Sequence, residues 1–293
     1  MIPKFYPALK GLILFTFISL FSCDDGKITD GTKVVRFKNS DKVKQEIEYK
    51  NGKKNGSFKE YTIKGQLKAI QHYRNDTLCD TSKFYHENGK LSEIQIFDSM
   101  GLYQACWKKY NKAGQMFWET CFKDNLLDST ATEYTYKTGK LLKRLNYSTG
   151  LKHGKQEEFY TNGNKKYISY YVDGKPQPGT EEWYEKGEAV NNDFKVKVIE
   201  ENKLAISSQL IFYLEPENFQ GTDEAYLILD GRVNELAAYR ELEKMNGKFK
   251  LIYDIPAGDF VMEKVHYAVF RKTRMGNTFI KKGSFVVSEN NFN

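Results

Sequence analysis

Apolar and polar positions alternate in short runs between residues 44 and 187, and turn residues separate the runs at a fixed interval. The interval is 24 or 25 residues, and six glycines mark it: Gly65, Gly89, Gly114, Gly139, Gly163 and Gly187. A second turn residue precedes most of these glycines by 13 residues, at Gly52, Asp76, Gly101, Gly150 and Gly174. Two turns per unit leave two runs of about seven to nine residues, the length of a β-strand. The pattern predicts an elongated array of stacked β-hairpins rather than an enzyme core.

The side chains keep a constant register within each unit. Eight residues after a turn glycine stands an aromatic residue: Tyr73, Phe97, Phe122, Tyr147 and Tyr171. The even offset places it on the same strand face as the residue at +2. An aromatic residue also stands four residues before most of the glycines, so we expect stacked units to form aromatic ladders across neighbouring strands. These five rings and the three tryptophans, Trp107, Trp118 and Trp183, are the candidate binding residues. Because the rings recur at the same register in every unit, the pattern favours a packing role over a binding role, and the two roles are compatible.

The period stops after Gly187, and the last hundred residues follow another pattern. Residues 190–193 read as a linker, and strand-like runs follow at 194–199, 204–214, 225–229, 248–253, 260–271 and 278–287. Strands of this number predict a β-sandwich of immunoglobulin-like type over 190–293. A helical period allows a short helix at 234–244.

The N-terminus has the pattern of a targeting segment. Lys4 and Lys10 precede an apolar stretch at 11–21 that is too short to span a membrane. It ends in Leu-Phe-Ser-Cys at 20–23, which resembles a bacterial lipobox, so Cys23 is the predicted lipidation site. We expect residues 1–22 to be removed, residues 23–43 to form a tether, and acyl chains such as palmitate to anchor the protein in the outer membrane. Asp24 and Asp25 resemble a surface-export signal of Bacteroidota lipoproteins, but the membrane face stays open.

The repeated units Tyr-Lys-Asn-Gly-Lys at 49–53 and Tyr-Val-Asp-Gly-Lys at 171–175, with the 24-residue period, resemble the bacterial MORN-repeat variant. The resemblance covers 44–189. It implies hairpins stacked into a twisted sheet and a scaffolding or interaction role, and it carries over no catalytic residue. Some relatives are antitoxin-like. The copies near 75–76 and 123–125 lack the second glycine, so we expect longer turns there.

Candidate catalytic groups are few and scattered. The four histidines, His72, His86, His153 and His266, have no base or nucleophile beside them in the sequence. Adjacent carboxylates such as Glu157 and Glu158 point to opposite faces of a strand and do not form a paired-acid site. We therefore predict a protein that is not an enzyme and uses no cofactor and no metal.

Charge and cysteines change this picture little. The net charge is +7, with lysine and glutamate mixed along the predicted strands, as on solvated sheet surfaces, and no nucleic-acid motif accompanies it. A loop at 111–114 would place Cys106 opposite Glu119 and Cys121 diagonal to it, so a disulfide requires a small register shift. With Cys79 as a third cysteine, we expect unpaired, partly buried thiols.

Three functions remain open. The first is a non-catalytic outer-membrane lipoprotein that acts as a protein-interaction platform or accessory subunit for other outer-membrane or cell-surface proteins. The second is a protein that binds surface glycan or anionic lipid through its aromatic and lysine face. The third is an antitoxin or immunity-type inhibitor. None involves nucleic acid.

Cys23→Ala should move the protein from the membrane fraction to the soluble fraction, because the acyl chains that would hold it in the bilayer would be missing. Cell fractionation followed by immunoblotting measures this, and Cys79→Ala is the matched control, which should stay bound. A Cys23→Ala protein that stays with the membranes would contradict lipidation.

Overall fold

The computed structural model describes residues 28–229 and 239–292, and nearly all regular structure in these ranges is β-sheet. The predicted all-β fold class is therefore confirmed. The predicted signal peptide (1–22) and the lipidation site Cys23 lie outside the described residues. A single helical turn, α1 (Leu204–Ser207), interrupts the strands, and the described ranges contain no helix long and apolar enough to cross a bilayer.

Fourteen antiparallel strands form one sheet, the repeat sheet, which follows chain order except for a short ninth strand that pairs only with the eighth. The strands are β1 (Gly31–Arg36), β2 (Val43–Lys50), β3 (Lys53–Tyr61), β4 (Leu67–Arg74), β5 (Thr77–Tyr85), β6 (Leu91–Phe97), β7 (Ala105–Tyr110), β8 (Met116–Lys123), β9 (Leu126–Leu127), β10 (Ser129–Tyr134), β11 (Leu141–Ser148), β12 (Leu151–Phe159), β13 (Lys165–Val172) and β14 (Lys175–Glu182). The predicted array of hairpins is thus one continuous layer.

The sheet begins earlier than the repeat does. β1 pairs with β2 in a register that sets Lys33 opposite Ile47, so residues 31–36 belong to the sheet and not to the predicted tether over 23–43. The tether prediction is wrong for this part. A single strand cannot show the 24-residue period in its sequence. Residues 31–36 are identified as a strand only by their pairing with β2.

The six predicted glycines close the hairpin loops along one rim of the repeat sheet, and all six have positive φ. The amide of Gly89, for example, donates to the carbonyl of His86 at 2.9 Å. A turn closed by a left-handed residue is a common hairpin connection, and glycine has no Cβ to strain there. Neighbouring loops are also joined, since Asn88 Nδ2 donates to the carbonyl of Lys112, one unit later, at 2.8 Å.

The other rim consists mainly of two-residue turns with both residues at positive φ, at 51–52, 75–76, 124–125, 149–150 and 173–174. This is the turn type whose twist matches that of the strands. The longer turns predicted near 75–76 and 123–125 are wrong, because Asp76 and Asn125 replace glycine with φ of 67° and 65°. Asp and Asn enter the left-handed region at low cost because their short polar side chains bond locally.

A third positive-φ position recurs in the second strand of each unit: Gly56, Asp80, Ala105, Ser129, Gly154 and Gly179. The pairing slips at this point. Ile47 pairs with Phe58 and Tyr49 pairs with Lys54, so the residue between them on β2 faces three residues of β3. Such a bulge bends the strand and increases its twist. Alanine and serine carry no turn signal here, so the sequence did not reveal it.

The C-terminal strands are β15 (Val196–Lys203), β16 (Gln209–Pro216), β17 (Glu224–Ile228), β18 (Tyr239–Glu241), β19 (Glu243–Met245), β20 (Lys248–Asp254), β21 (Phe260–Lys272) and β22 (Thr278–Asn290). They form two four-stranded sheets, β15-β16-β20-β19 and β18-β17-β21-β22. When β15 to β22 are lettered A, B, C, C′, D, E, F and G in chain order, the two sheets have the strand orders A-B-E-D and C′-C-F-G. This is the immunoglobulin arrangement. Leu210, Phe249 and Val269 are among the buried residues between the sheets. The predicted sandwich is confirmed.

The short helix predicted at 234–244 is wrong where the structure describes it. β18 and β19 lie in different sheets, and Leu242 between them is 6% exposed in the core. Its amide donates to the carbonyl of Ala225 at 2.8 Å. The chain therefore changes sheets at Leu242 and does not form a helical turn there. Residues 234–238 lie outside the described part of the chain.

A buried carboxylate joins the repeat sheet to the sandwich. Glu182, at the end of β14, is 2% exposed and accepts hydrogen bonds from Thr273 Oγ1 (2.6 Å), Asn277 Nδ2 (2.7 Å) and Asn192 Nδ2 (3.1 Å). Burial of a carboxylate is costly unless such donors replace water. The bonds hold the β21–β22 hairpin against the last strand of the repeat sheet.

Gly89→Ala should lower the free energy of unfolding by about 1–2 kcal/mol, because an L-residue costs that much in the left-handed region. No heavy atom lies within 4 Å of the position of the new Cβ, so the change tests backbone strain and not a clash. Urea unfolding measures the loss. Gly89→Asn is the matched control and should lose clearly less, whereas equal stability of all three proteins would contradict the turn assignment.

Candidate functional site

One face of the repeat sheet carries a continuous row of twelve side chains next to the two-residue turns. Cross-strand pairs fix their order: Tyr49, Lys54, Tyr73, Leu78, Phe97, Tyr103, Phe122, Leu127, Tyr147, Lys152, Tyr171 and Pro176. This set is called the aromatic row, and its side of the sheet the aromatic face. All five rings predicted at the +8 position belong to it. Each of those rings also stands opposite a bulge residue, as Tyr73 does opposite Gly56.

Most of these rings do not stack on one another, which corrects the predicted ladders. Successive +8 rings are two strands apart, about 9.6 Å at normal strand spacing. Lysine, leucine or proline fills most of the gaps. The ammonium of Lys54 lies 4.9 Å from the centre of the Tyr73 ring, and that of Lys152 lies 4.9 Å from the Tyr171 ring. Lysine stems and cation–π contacts therefore cover much of the row.

Ring contacts are continuous only at the centre of the sheet. Tyr103 lies 4.6 Å from Phe97 and 5.3 Å from Phe122, measured between ring centres, and stacks on Trp107 at 5.8 Å. Trp107 meets Trp118 edge to face at 5.0 Å. These five residues form the aromatic cluster. Tyr103 was not among the predicted site residues, although it follows Leu78 by 25 residues and thus shares the period.

Polar groups orient the cluster. Trp107 Nε1 donates to Glu93 Oε1 at 2.7 Å, and the ammonium of Lys109 lies 4.7 Å from the Trp107 ring and 5.2 Å from the Trp118 ring. Phe97 is 7% exposed, while the other four rings are half-buried. The cluster therefore presents ring surface to solvent in a fixed orientation, which is the arrangement that suits aromatic residues at binding interfaces.

Burial alters the ionisation of the row. It raises the pKa of Tyr73, Tyr147 and Tyr171, and in Tyr103 the nearby Glu93 carboxylate adds to the effect. Burial also lowers the pKa of Lys152. The phenols therefore remain neutral hydrogen-bonding groups over the physiological range.

Trp183 is not part of this arrangement. It lies on the rim of the glycine turns, where its backbone bridges to Ala189 and its carbonyl accepts from Tyr160 Oη at 2.9 Å. The ammonium of Lys165 lies 5.6 Å from its ring. The structure thus brings two of the three predicted tryptophans together and leaves the third at the edge of the sandwich.

A disulfide crosses the opposite face of the sheet behind the cluster. Cys106 and Cys121 face each other in the β7–β8 register and are bonded, so the expected unpaired thiols are wrong for this pair. The register shift that this disulfide requires occurs between Lys109 and Tyr110. Cys79 is buried and free. Glu119 lies near the two sulfurs, but they are bonded to each other and its carboxylate is 3.1 Å from Lys108 Nζ.

The histidines make local structural contacts. His72 Nδ1 lies 3.2 Å from the carbonyl of Thr81, and His86 Nε2 lies 2.8 Å from that of Tyr110. His153 pairs with Asp173 on the turn rim at 3.2 Å. The contacts of these three histidines hold loops and strands in place.

Comparison with known proteins adds no relative. No family model matches the chain, and no curated protein is significantly similar to it. The aromatic face must therefore be interpreted from its own geometry.

Reduction of the Cys106–Cys121 bond should lower the free energy of unfolding by up to about 3 kcal/mol, the value for a loop of 15 residues. Urea unfolding with and without reductant measures this. The variant Cys106→Ser/Cys121→Ser is the control, since its stability should not respond to reductant. Thiol labelling of the unfolded, unreduced protein should modify Cys79 and leave Cys106 and Cys121 unmodified, and labelling of either of these two would contradict the bridge.

Proposed function

We propose that this protein is a non-catalytic, lipid-anchored lipoprotein of the outer membrane whose repeat sheet is a platform for another membrane or surface protein. The observation that carries the proposal is the aromatic row, which runs without a break from Tyr49 to Pro176. Its centre, the aromatic cluster, has the composition typical of interface anchors, with two tryptophans and a tyrosine held in place.

The area of the face is sufficient for a stable complex. Twelve strand positions at normal spacing span about 50 Å, and four residues along each strand span about 14 Å. A strip of this size presents about 700 Å², close to the roughly 800 Å² that each partner contributes to a standard interface. A small ligand would need much less, so the length of the row favours a macromolecular partner.

The order of elements supports a tethered arrangement. β1 is the first strand of the repeat sheet and follows the predicted anchor at Cys23, while β14 adjoins the sandwich. A sheet of this many strands is about 60 Å across at normal spacing. The lipid would then hold one end, the sheet would act as spacer and platform, and the sandwich would stand away from the bilayer.

The resemblance to the bacterial MORN-repeat variant supports the same role, because it implies interaction and scaffolding. Of the two alternatives, no feature of residues 28–229 and 239–292 favours the inhibitor over the platform. Binding of a glycan or anionic lipid draws support from the lysines that accompany the rings.

Trp107→Ala/Trp118→Ala should remove the main anchors and weaken the complex about 30-fold or more, since the loss of even one such anchor costs about 2 kcal/mol or more. Crosslinking in cells, followed by mass spectrometry of the adducts, measures the loss. Phe117→Ala/Tyr136→Ala is the matched control, because these two rings pack edge to face at 4.9 Å on the opposite face.

The control should keep the partner adducts. Two results would oppose the platform: crosslinking that recovers only the monomer from the unaltered protein, or equal adduct yields from both double variants. Thermal unfolding of each purified variant separates a lost contact from a lost fold.

A further inference from the structure

The aromatic row ends in a groove of about 330 Å³ between the repeat sheet and the sandwich. Lys175 and Pro176 on β14 form one wall. The other side is the outer face of the β18-β17-β21-β22 sheet, with Tyr226, Tyr239, Phe270 and Lys272. These six residues define the junction groove. Its volume lies at the lower end of the roughly 300–1,000 Å³ typical of small-molecule sites.

The outer face of a solvated sandwich sheet is normally polar, but this one carries clustered rings. The ring centres of Tyr226 and Phe270 are 5.0 Å apart, and Tyr239 lies 6.1 Å from each. Phe270 also belongs to a small buried cluster with Ile228 and Ile280, separate from the core between the sheets. Phe270 is buried and forms the floor of the groove, and the partly exposed rings of Tyr226 and Tyr239 are inclined to it by 51° and 68°.

Ammonium groups surround these rings. Lys175 and Lys272 are exposed at the groove, and Lys272 Nζ donates to Thr278 Oγ1 at 2.9 Å. Lys152, the row member beside this end, lies close enough to Lys272 for the two charges to repel. That repulsion adds to burial in lowering the pKa of Lys152, while Glu158 opposes it. Two ammonium groups, those of Lys175 and Lys272, therefore line the groove, and both can meet an anion there.

The other charged groups that line the groove are Glu224 and Arg271. Glu224 is exposed, and its hydrogen-bond partner is a neutral phenol, which does not offset the charge of the carboxylate. Tyr226 Oη donates to Glu224 Oε2 at 2.8 Å. The Arg271 guanidinium is committed to Asp223, to which Nε and Nη2 donate at 3.0 and 2.7 Å, and it also lies 3.8 Å from the Phe194 ring. Lys175 and Lys272 are therefore the cations best placed to meet a ligand.

We infer that the junction groove binds a saccharide unit that carries an anionic group, with Tyr226, Tyr239 and Phe270 under the apolar face of the sugar ring and Lys175 and Lys272 on the anion. Flat rings match the C–H faces of a sugar, and paired ammonium groups match a carboxylate or phosphate. The small volume suits one or two sugar units, and the open side lets a longer chain continue. Saccharide binding here does not require the protein partner proposed above, because the aromatic cluster lies at the centre of the sheet.

The test uses the full-length protein in detergent micelles and isothermal titration calorimetry. The probes are oligosaccharides that end in a uronate, a sialate or a phosphorylated sugar, each paired with its neutral parent. We expect at least one acidic probe to bind about tenfold or more tightly than its parent. Lys175→Gln/Lys272→Gln should remove that preference, and Tyr226→Leu should weaken binding of the acidic probe while leaving the preference.

Lys197→Gln/Lys264→Gln, at exposed lysines of the sandwich outside the groove, is the matched control and should bind as the unaltered protein does. Melting curves verify that each variant is folded. Equal binding of acidic and neutral members of every pair would overturn the assignment, as would a preference that survives Lys175→Gln/Lys272→Gln. Vesicles with phosphatidylserine form the last arm. Vesicle binding that depends on the same two lysines, without any saccharide binding, would assign the groove to a lipid headgroup instead.

Discussion

The repeat sheet depends on a backbone constraint, because most units must enter the left-handed region of φ at three separate places. Two of these are turns, and the third is the bulge represented by Gly56 and Ala105. Only glycine reaches that region freely, with Asn and Asp next, so the constraint limits which residues can stand at these positions. The sequence shows a 24-residue period because these left-handed positions recur in each unit. Between these positions the strands need only alternate polar and apolar residues, so that one face of the sheet is polar and the other is apolar.

The aromatic row stands opposite the bulges. Tyr73, for example, is paired with Gly56 and Tyr171 with Gly154, where the partner strand bends. A lysine of the neighbouring strand lies over the face of each of these two rings. Neighbouring side chains thus bury part of the apolar ring surface of this single-layer sheet. In a two-layer protein, the second layer would bury that surface. The rings thus pack the sheet and still leave part of their surface open to solvent, because the cover is only partial.

The sandwich makes the end of the aromatic row one wall of a groove. Glu182 and Thr180 fasten the β21–β22 hairpin to β14, and this places a sheet face rich in aromatic residues beside the last members of the row. Neither surface alone is concave. Together they bring rings from one element and lysines from both into one groove. A buried polar contact, rather than apolar area, thus decides where the candidate small-ligand site lies.

The sequence by itself determined the all-β class, the hairpin period, the six turn glycines and the common face of the five +8 rings. These are local properties, fixed by side-chain alternation and by the chemistry of turns. It also indicated the sandwich through strand count, but not its order. Only the tertiary structure decided the bulges at Ala105 and Ser129, the Cys106–Cys121 register, the place of Tyr103 and the separation of Trp183 from the other tryptophans. Each of these depends on which residue of a neighbouring strand stands opposite. The junction groove joins residues about a hundred positions apart, and no local pattern encodes such a meeting.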